Sequence, residues 1–192
     1  MLSGGARFIV VFFGMTASGK STLGKAWAVQ SAAPYYNTDQ VRKELAGLRA
    51  SDRRPDQVAS GIYSSDFTEK TYQALLDRSG EDLAAGQQCV VLDGSYSRRK
   101  DRDRVRELAA RYGARSIFIF CTCSEAAVRH RLALRAQDPE AVSDGRWEIY
   151  QHQLATFERP DALLETDCLH LNTEQSVAGM VTWLTAQLCA QR

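Results

Sequence analysis

Gly14-Met15-Thr16-Ala17-Ser18-Gly19-Lys20-Ser21 fits G-x-x-x-x-G-K-[ST], the spacing of a loop that cradles nucleotide phosphates. Glycine lets backbone N–H groups converge on an anion with no Cβ in the way. The candidate phosphate-binding positions are Gly14, Thr16, Ala17, Ser18, Gly19, Lys20, Ser21 and Thr22. Lys20 has the reach for the β- and γ-phosphates, and the Ser21 hydroxyl suits Mg²⁺. The flanks complete the arrangement. Phe8-Ile9-Val10-Val11-Phe12-Phe13 is apolar, β-branched and aromatic, which predicts a buried strand. Thr22-Leu23-Gly24-Lys25-Ala26-Trp27-Ala28 predicts a helix, whose N-terminus is an anion site.

Outward from the loop, apolar runs alternate with helical patterns. Strands are predicted at Arg7–Phe13, Tyr35–Asn37, Cys89–Asp93, Ser116–Cys121 and Cys168–Leu171. Helices are predicted at Ser21–Ser31, Asp66–Ala85, Arg99–Tyr112, Ser124–Ala136, Ser143–Phe157 and about Glu174–Ala190. Gly86 and Gly113 read as helix stops, and Ser124 with Glu125 as an N-cap followed by an acidic first turn. Alternation of this kind predicts an α/β protein with a parallel sheet covered on both faces. Two charged, turn-rich stretches, Arg49–Asp56 and Gln137–Glu140, read as loops within one domain over residues 1–192.

Strand ends in an open parallel sheet face the ligand crevice. Asp39 follows the second strand, where a carboxylate could orient an acceptor hydroxyl and take its proton; Arg42, three residues on, would share its helical face and clamp substrate. The alternative is an Asp N-cap beside a solvated Arg. Cys89-Val90-Val91-Leu92-Asp93 is an apolar strand ending in Asp, the pattern of a carboxylate that holds Mg²⁺ directly or through water. Ser95 and Arg98 follow it as candidate substrate contacts, while Arg99 to Arg106 alternates in sign like a solvated helix face. Arg131 and Arg135 are four apart, so they meet on one face, and a turn-rich segment follows. That suits a lid over residues 129–147 that brings Arg131 to the transferring phosphoryl group and lets Arg135 act on ATP affinity, for instance by stacking on the base. The stripe Trp147, Tyr150, Leu154, Phe157 reads as core, with Asp144, Arg146 and Trp147 near substrate; Asn172-Thr173 would lie beside the base.

A content of 44% hydrophobic and 24% charged residues in 192 is that of a globular chain, and a net charge of +1 gives no push toward nucleic acid or membrane. No apolar run reaches membrane-spanning length, and Met1 to Arg7 lacks a signal-peptide core, which together predict a cytoplasmic protein. The five cysteines, with no C-x-x-C, read as reduced thiols; the alternative is a metal site at Cys121 and Cys123, for which the three histidines offer no ligand spacing.

The chain resembles the small kinases with a phosphate-binding loop: polynucleotide 5′-hydroxyl kinase domains, gluconate and shikimate kinases, zeta-toxin-like kinases, and AAA-type ATP-binding kinase domains of unknown substrate, some of them fused to aminoglycoside-phosphotransferase-like proteins. The resemblance spans nearly the whole chain. It is carried by Gly14–Ser21, Thr38-Asp39-Gln40-Val41-Arg42, Gly61-Ile62-Tyr63-Ser64, Tyr72, Val90-Val91-Leu92-Asp93-Gly94-Ser95, Arg98, Arg131, Arg135 and Ser143-Asp144. It implies a three-layer α/β/α fold with strand order 2-3-1-4-5 and a helical lid, in a monomeric or dimeric kinase. By that analogy Asp39 is the general base, Arg42 contacts substrate and Arg131 contacts ATP. Where many relatives have D-A-T or D-A-N, this chain has Asp93-Gly94-Ser95. The implied cofactors are ATP and Mg²⁺. The implied acceptor is a hydroxyl of a small polar metabolite. A polynucleotide 5′-hydroxyl, served by Arg42, Arg53, Arg54, Arg98, Arg99 and Lys100, is the second reading, and an ATP-hydrolysing regulatory module the third.

Overall fold

Strand β1 (Arg7–Phe13) runs through the centre of the molecule, and its six residues from Phe8 to Phe13 are all buried. Side chains alternate across a strand, so Phe8, Val10 and Phe12 enter one apolar cluster while Ile9, Val11 and Phe13 enter another on the opposite face. Each such side chain taken from water contributes about 1.5–3 kcal/mol. A strand buried on both faces needs helices above and below it. The computed structural model, which describes residues 6–49, 52, 61–138 and 146–190, has this arrangement.

In chain order after β1 come α1 (Lys20–Ser31), β2 (Tyr35–Asn37), α2 (Thr38–Leu45), a single 3₁₀ turn at Gly61–Tyr63, α3 (Ser65–Ala84), β3 (Cys89–Gly94), α4 (Arg99–Arg111), β4 (Ala114–Thr122), α5 (Glu125–Gln137), α6 (Trp147–Thr156), β5 (Cys168–Asn172) and α7 (Val177–Ala190). The five strands are parallel and lie in the order β2-β3-β1-β4-β5. The fold is therefore a three-layer α/β/α P-loop architecture, as the sequence and its resemblance lead one to expect. Trp27 of α1 with Met180 and Leu184 of α7 fills one face; Leu75 of α3 with Val105 of α4 fills the other. A third cluster joins Val128 and Leu132 of α5 and Tyr150 of α6 to Ala17 of the loop after β1.

Several boundaries differ from expectation for local reasons. Strand β4 begins at Ala114 because Arg7 of β1 pairs with it. Helix α7 begins at Val177, after a turn in which the Asn172 side chain accepts the Glu174 N–H. Helix α2 is absent from the predicted elements, although Asp39 and Arg42 do share its surface. In the predicted stripe of α6, Tyr150 is buried and Phe157 stacks near Phe13 and Phe120, but Leu154 is 47% exposed. The ten-residue helix leaves that position on its outer side. Arg53, Arg54, Pro139, Glu140, Ser143, Asp144 and the middle of the expected lid lie outside the described residues, as does the Cys189 side chain.

Candidate active site

The loop Gly14–Gly19 leads from the end of β1 into α1, and its backbone is bent as a phosphate cradle requires. Ala17 has φ 58° and Gly19 has φ 88°, both left-handed. A side chain at Gly19 would also strike Thr173 and come within 3.1 Å of the Arg131 guanidinium. Helices α2, α3 and α5 are each capped by a side chain, Asn37, Ser64 and Ser124 respectively. The N-cap residues of α1, α4 and α6 supply no such cap. The first N–H groups of a helix have no intrahelical partner. Those of α1 border a cleft lined by Gly19, Lys20, Ser21 and Thr22, where an anion could meet them. Lys20 also lines this cleft, with its ammonium folded onto the Met15 carbonyl at 3.1 Å.

The same cleft receives Asp39, Ser95 and Arg135. Asp39 is not the helix cap. Asn37 holds that role by accepting the N–H groups of Asp39 and Gln40, both at 3.0 Å, which leaves the Asp39 carboxylate to line the cleft. Burial lowers the pKa of Arg135, and the nearby Asp39 and Asp93 carboxylates act against that shift. A guanidinium stays charged through such a change.

Asp93 is fully buried at the end of β3. One carboxylate oxygen accepts from the Tyr35 hydroxyl and from the Asn37 amide, both at 2.5 Å. The other has no hydrogen-bond partner among the described residues. Burial, and then the Asp93 charge, raises the Tyr35 pKa strongly, so that phenol remains a donor; it also interacts with Ser21. A buried oxygen without a partner is costly unless a cation or a water meets it. This donor set fits a hydrated Mg²⁺ between Ser21 and Asp93. Among the described residues no three His, Cys, Asp or Glu side chains converge, so phosphates and water would complete such a site.

Three arginines stand elsewhere than expected. The buried Arg42 donates to the Ile62 carbonyl at 2.7 Å and to Thr68 at 3.1 Å, and packs on the Tyr63 ring. It does not line the cleft; Tyr63, which it holds, does. Arg98 pairs with Asp101 at 3.4 Å, also outside the lining. Arg131 donates to the Ala17 carbonyl at 3.1 Å and to the Thr173 hydroxyl and carbonyl at 3.0 and 2.7 Å. It braces the outside of the loop, whereas Arg135, one turn further along α5, reaches the cleft. Four residues of helix amount to about 6 Å along the axis, enough to separate the two roles. Of the two expected arginines, Arg135 lines the cleft and Arg131 holds the loop backbone. Asn172 is engaged in its own turn, and Thr173 is the residue that meets the loop, donating to the Ser18 carbonyl at 2.6 Å.

Sequence reasoning passed over Tyr35, Asn37, Ile149 and Gln153. Tyr35 and Asn37 stand on the strand that ends at the crevice, a signal available from strand position alone. Ile149 and Gln153 are one turn apart on α6 and carry no local signature. The thiols are conventional. Burial pushes Cys89 and Cys168 up to about 12, and Cys121 and Cys123 upward as well. The four described cysteines are unpaired.

The sequence profile of the family described as AAA domain matches residues 9–160. The chain belongs to that family. Uncharacterized proteins of Mycobacterium bovis and Mycobacterium tuberculosis are 29% identical to it over 123 residues, covering 64% of this chain and 24% of theirs. It thus spans about a quarter of the length of the curated relatives it matches. A sugar kinase from Janibacter sp. superposes with a TM-score of 0.70 at 18% identity, covering 95% of this chain and 94% of that one. The APS kinase of Mycobacterium tuberculosis gives 0.64 at 17%, covering 95% and 97%. A gluconokinase from Sinorhizobium meliloti gives 0.59 at 23%, covering 97% of each chain. The fold is that of the small P-loop kinases. No helix among the described residues is long and apolar enough to cross a membrane.

Proposed function

We propose that this AAA-family chain is a kinase that transfers the γ-phosphoryl group of ATP to a hydroxyl of a small polar molecule. One observation carries the reading: a carboxylate, Asp39, and a guanidinium, Arg135, line the same cleft as the uncapped amides of α1. A purely binding module needs the amides and Lys20 but has no use for a carboxylate across from them. The likeness to sugar, gluconate and APS kinases supports a small acceptor. Engagement of Arg42 and Arg98 within the protein removes two of the cations that a polynucleotide would call on.

In this reading the amides from Ala17 to Thr22 bind the phosphates, and Lys20 leaves Met15 to pair with the β- and γ-phosphates. Ser21 and, through water, Asp93 would hold Mg²⁺, which would supply charge neutralisation to the phosphates. Asp39 orients the acceptor hydroxyl and takes its proton as the new P–O bond forms. The bond from the γ-phosphorus to the β-phosphate oxygen breaks, and its electron pair leaves with ADP. Arg135 neutralises charge on the moving phosphoryl group. A general base of this kind contributes about 10²–10⁴-fold. Incubation with [γ-³²P]ATP and matched panels of sugars, polyols, sugar acids and 5′-hydroxyl oligonucleotides tests the proposal. Label should pass to a small hydroxyl compound and be lost in Lys20→Ala. Transfer to oligonucleotides alone, or release of phosphate with no acceptor labelled, would overturn it.

A further inference from the structure

Helix α6 presents Ile149 and Gln153 to the cleft, and Gln153 touches the phosphate loop itself. Its Oε1 accepts the Thr16 backbone N–H at 2.7 Å. A carboxamide has one acceptor oxygen and two donor hydrogens. Because a backbone N–H can only donate, this contact fixes the orientation of the amide: the oxygen is taken up by the loop, and the Nε2 donors remain. They have no hydrogen-bond partner among the described residues. The side chain is held in place from behind. Tyr150, one turn earlier, is buried with Ala17, Val128 and Leu132, so α6 packs directly on the loop.

Thr16 precedes the run Ala17–Thr22 whose amides form the cradle. A donor beside Thr16 lines the same cleft as Lys20, Asp39 and Arg135. An oxygen of the outermost phosphate is the acceptor chemistry such a donor meets; a diphosphate ends one group short. Resting on the kinase reading above, we infer that Gln153 is a γ-phosphate ligand and makes the site discriminate nucleoside triphosphate from diphosphate. It is a binding contact supplied by α6, separate from the loop, and it couples the seating of that helix to the third phosphate.

Calorimetric titration of the full chain with Mg²⁺–AMPPNP and with Mg²⁺–ADP tests this without any acceptor. A hydrogen bond to a charged oxygen is strong enough that its loss should weaken AMPPNP binding by about tenfold or more. ADP binding should weaken clearly less than AMPPNP binding, since it loses at most the neutral Thr16 contact that steadies the loop. Gln153→Ala removes the donor and some packing. Gln153→Met keeps the length and flexibility with no donor, so it serves if the alanine variant fails to fold, and in both the ratio of AMPPNP to ADP affinity should fall below that of the wild type. Equal weakening for both nucleotides would make Gln153 a brace of the loop only and overturn the inference, as would unchanged affinity for both. Wild-type protein that binds neither nucleotide would instead remove the kinase reading on which the inference rests.

Discussion

Asp39 lines the cleft while Asp93 is buried outside its lining, and this separates what their removal should do. Asp39 lines open space opposite the phosphate amides, whereas Asp93 is sealed behind Tyr35 and Asn37 with one oxygen unpartnered. Asp39→Asn should therefore leave nucleotide binding near wild type and lower kcat by about 10²–10⁴-fold, because a base acts mainly in the transition state. Asp93→Asn should raise the Mg²⁺ concentration needed for half-maximal rate. Steady-state kinetics across a Mg²⁺ series separates the two, and an exchange of the two phenotypes would mean the roles are reversed. The arginines divide in the same way. Arg135→Ala should cost on the order of 10²-fold in kcat, the effect of removing one preorganised charge donor. Arg131→Ala removes three hydrogen bonds that tie the loop to Thr173, so it should lower the melting temperature and weaken nucleotide binding. If Arg131→Ala leaves the melting temperature unchanged while kcat falls, Arg131 and not Arg135 serves the phosphoryl group.

At the scale of elements, the junction of β3 with α2 shapes the Asp39 side of the cleft. A Cβ at Gly94 would lie 2.5 Å from the Thr38 methyl and 3.2 Å from the Tyr96 ring. The absence of a Cβ lets the start of α2, and Asp39 with it, sit close against the strand end. Tyr96, just beyond, has φ 40°, an uncommon backbone for a bulky residue, and its N–H donates to the Tyr72 hydroxyl at 3.0 Å. Gly94→Ala should destabilise the chain by about 1–3 kcal/mol, the usual cost of overpacking, and displace Asp39. Denaturant unfolding measures the first effect. An unchanged kcat in a variant of lowered stability would show that α2 can shift without moving its carboxylate. What the sequence made legible at this scale follows the same logic. The loop, the strands and the ends of β2 and β3 are written in local patterns of glycine and apolar residues. The duties of Arg42, Arg98 and Arg131 depend on partners at Ile62, Thr68, Asp101 and Thr173, and a charge pattern along one helix cannot show which side its long side chains turn to. Gln153 was hidden for the same reason, since its partner lies 137 residues away.

Across the whole molecule, the layers are held together away from the cleft by an ionic knot under the second core cluster. Arg102 of α4 is fully buried and donates twice to Glu165, at 2.7 Å each, and once to the Tyr96 carbonyl at 2.8 Å. Arg106 adds a bond to Glu165 at 2.8 Å and two to Asp167. The knot fastens α4 to the segment entering β5, and through Tyr96 it reaches the backbone near Gly94, against which the start of α2 packs. Burial alone would raise the Glu165 pKa. The hydrogen bonds and charges of Arg102 and Arg106 outweigh it and hold the carboxyl down at about 2, against an ordinary 4.5. A depressed carboxylate pKa stabilises the fold fully above the unfolded value and loses that contribution as pH falls toward the folded one. Stability should therefore decline between about pH 4.5 and pH 2, with Glu165 contributing on the order of 3 kcal/mol of the loss. Glu165→Gln leaves the buried Arg102 guanidinium without its charge partner, while Arg106 keeps Asp103 and Asp167, so it should destabilise the chain at neutral pH by about 3–5 kcal/mol. The same variant should show a shallower decline over that acid window, since the group that takes up the proton is gone. Urea unfolding of both proteins at a series of pH values gives the two slopes. Parallel slopes from pH 4.5 to 2 would mean that other carboxylates govern acid unfolding, and that the knot holds the layers by geometry alone.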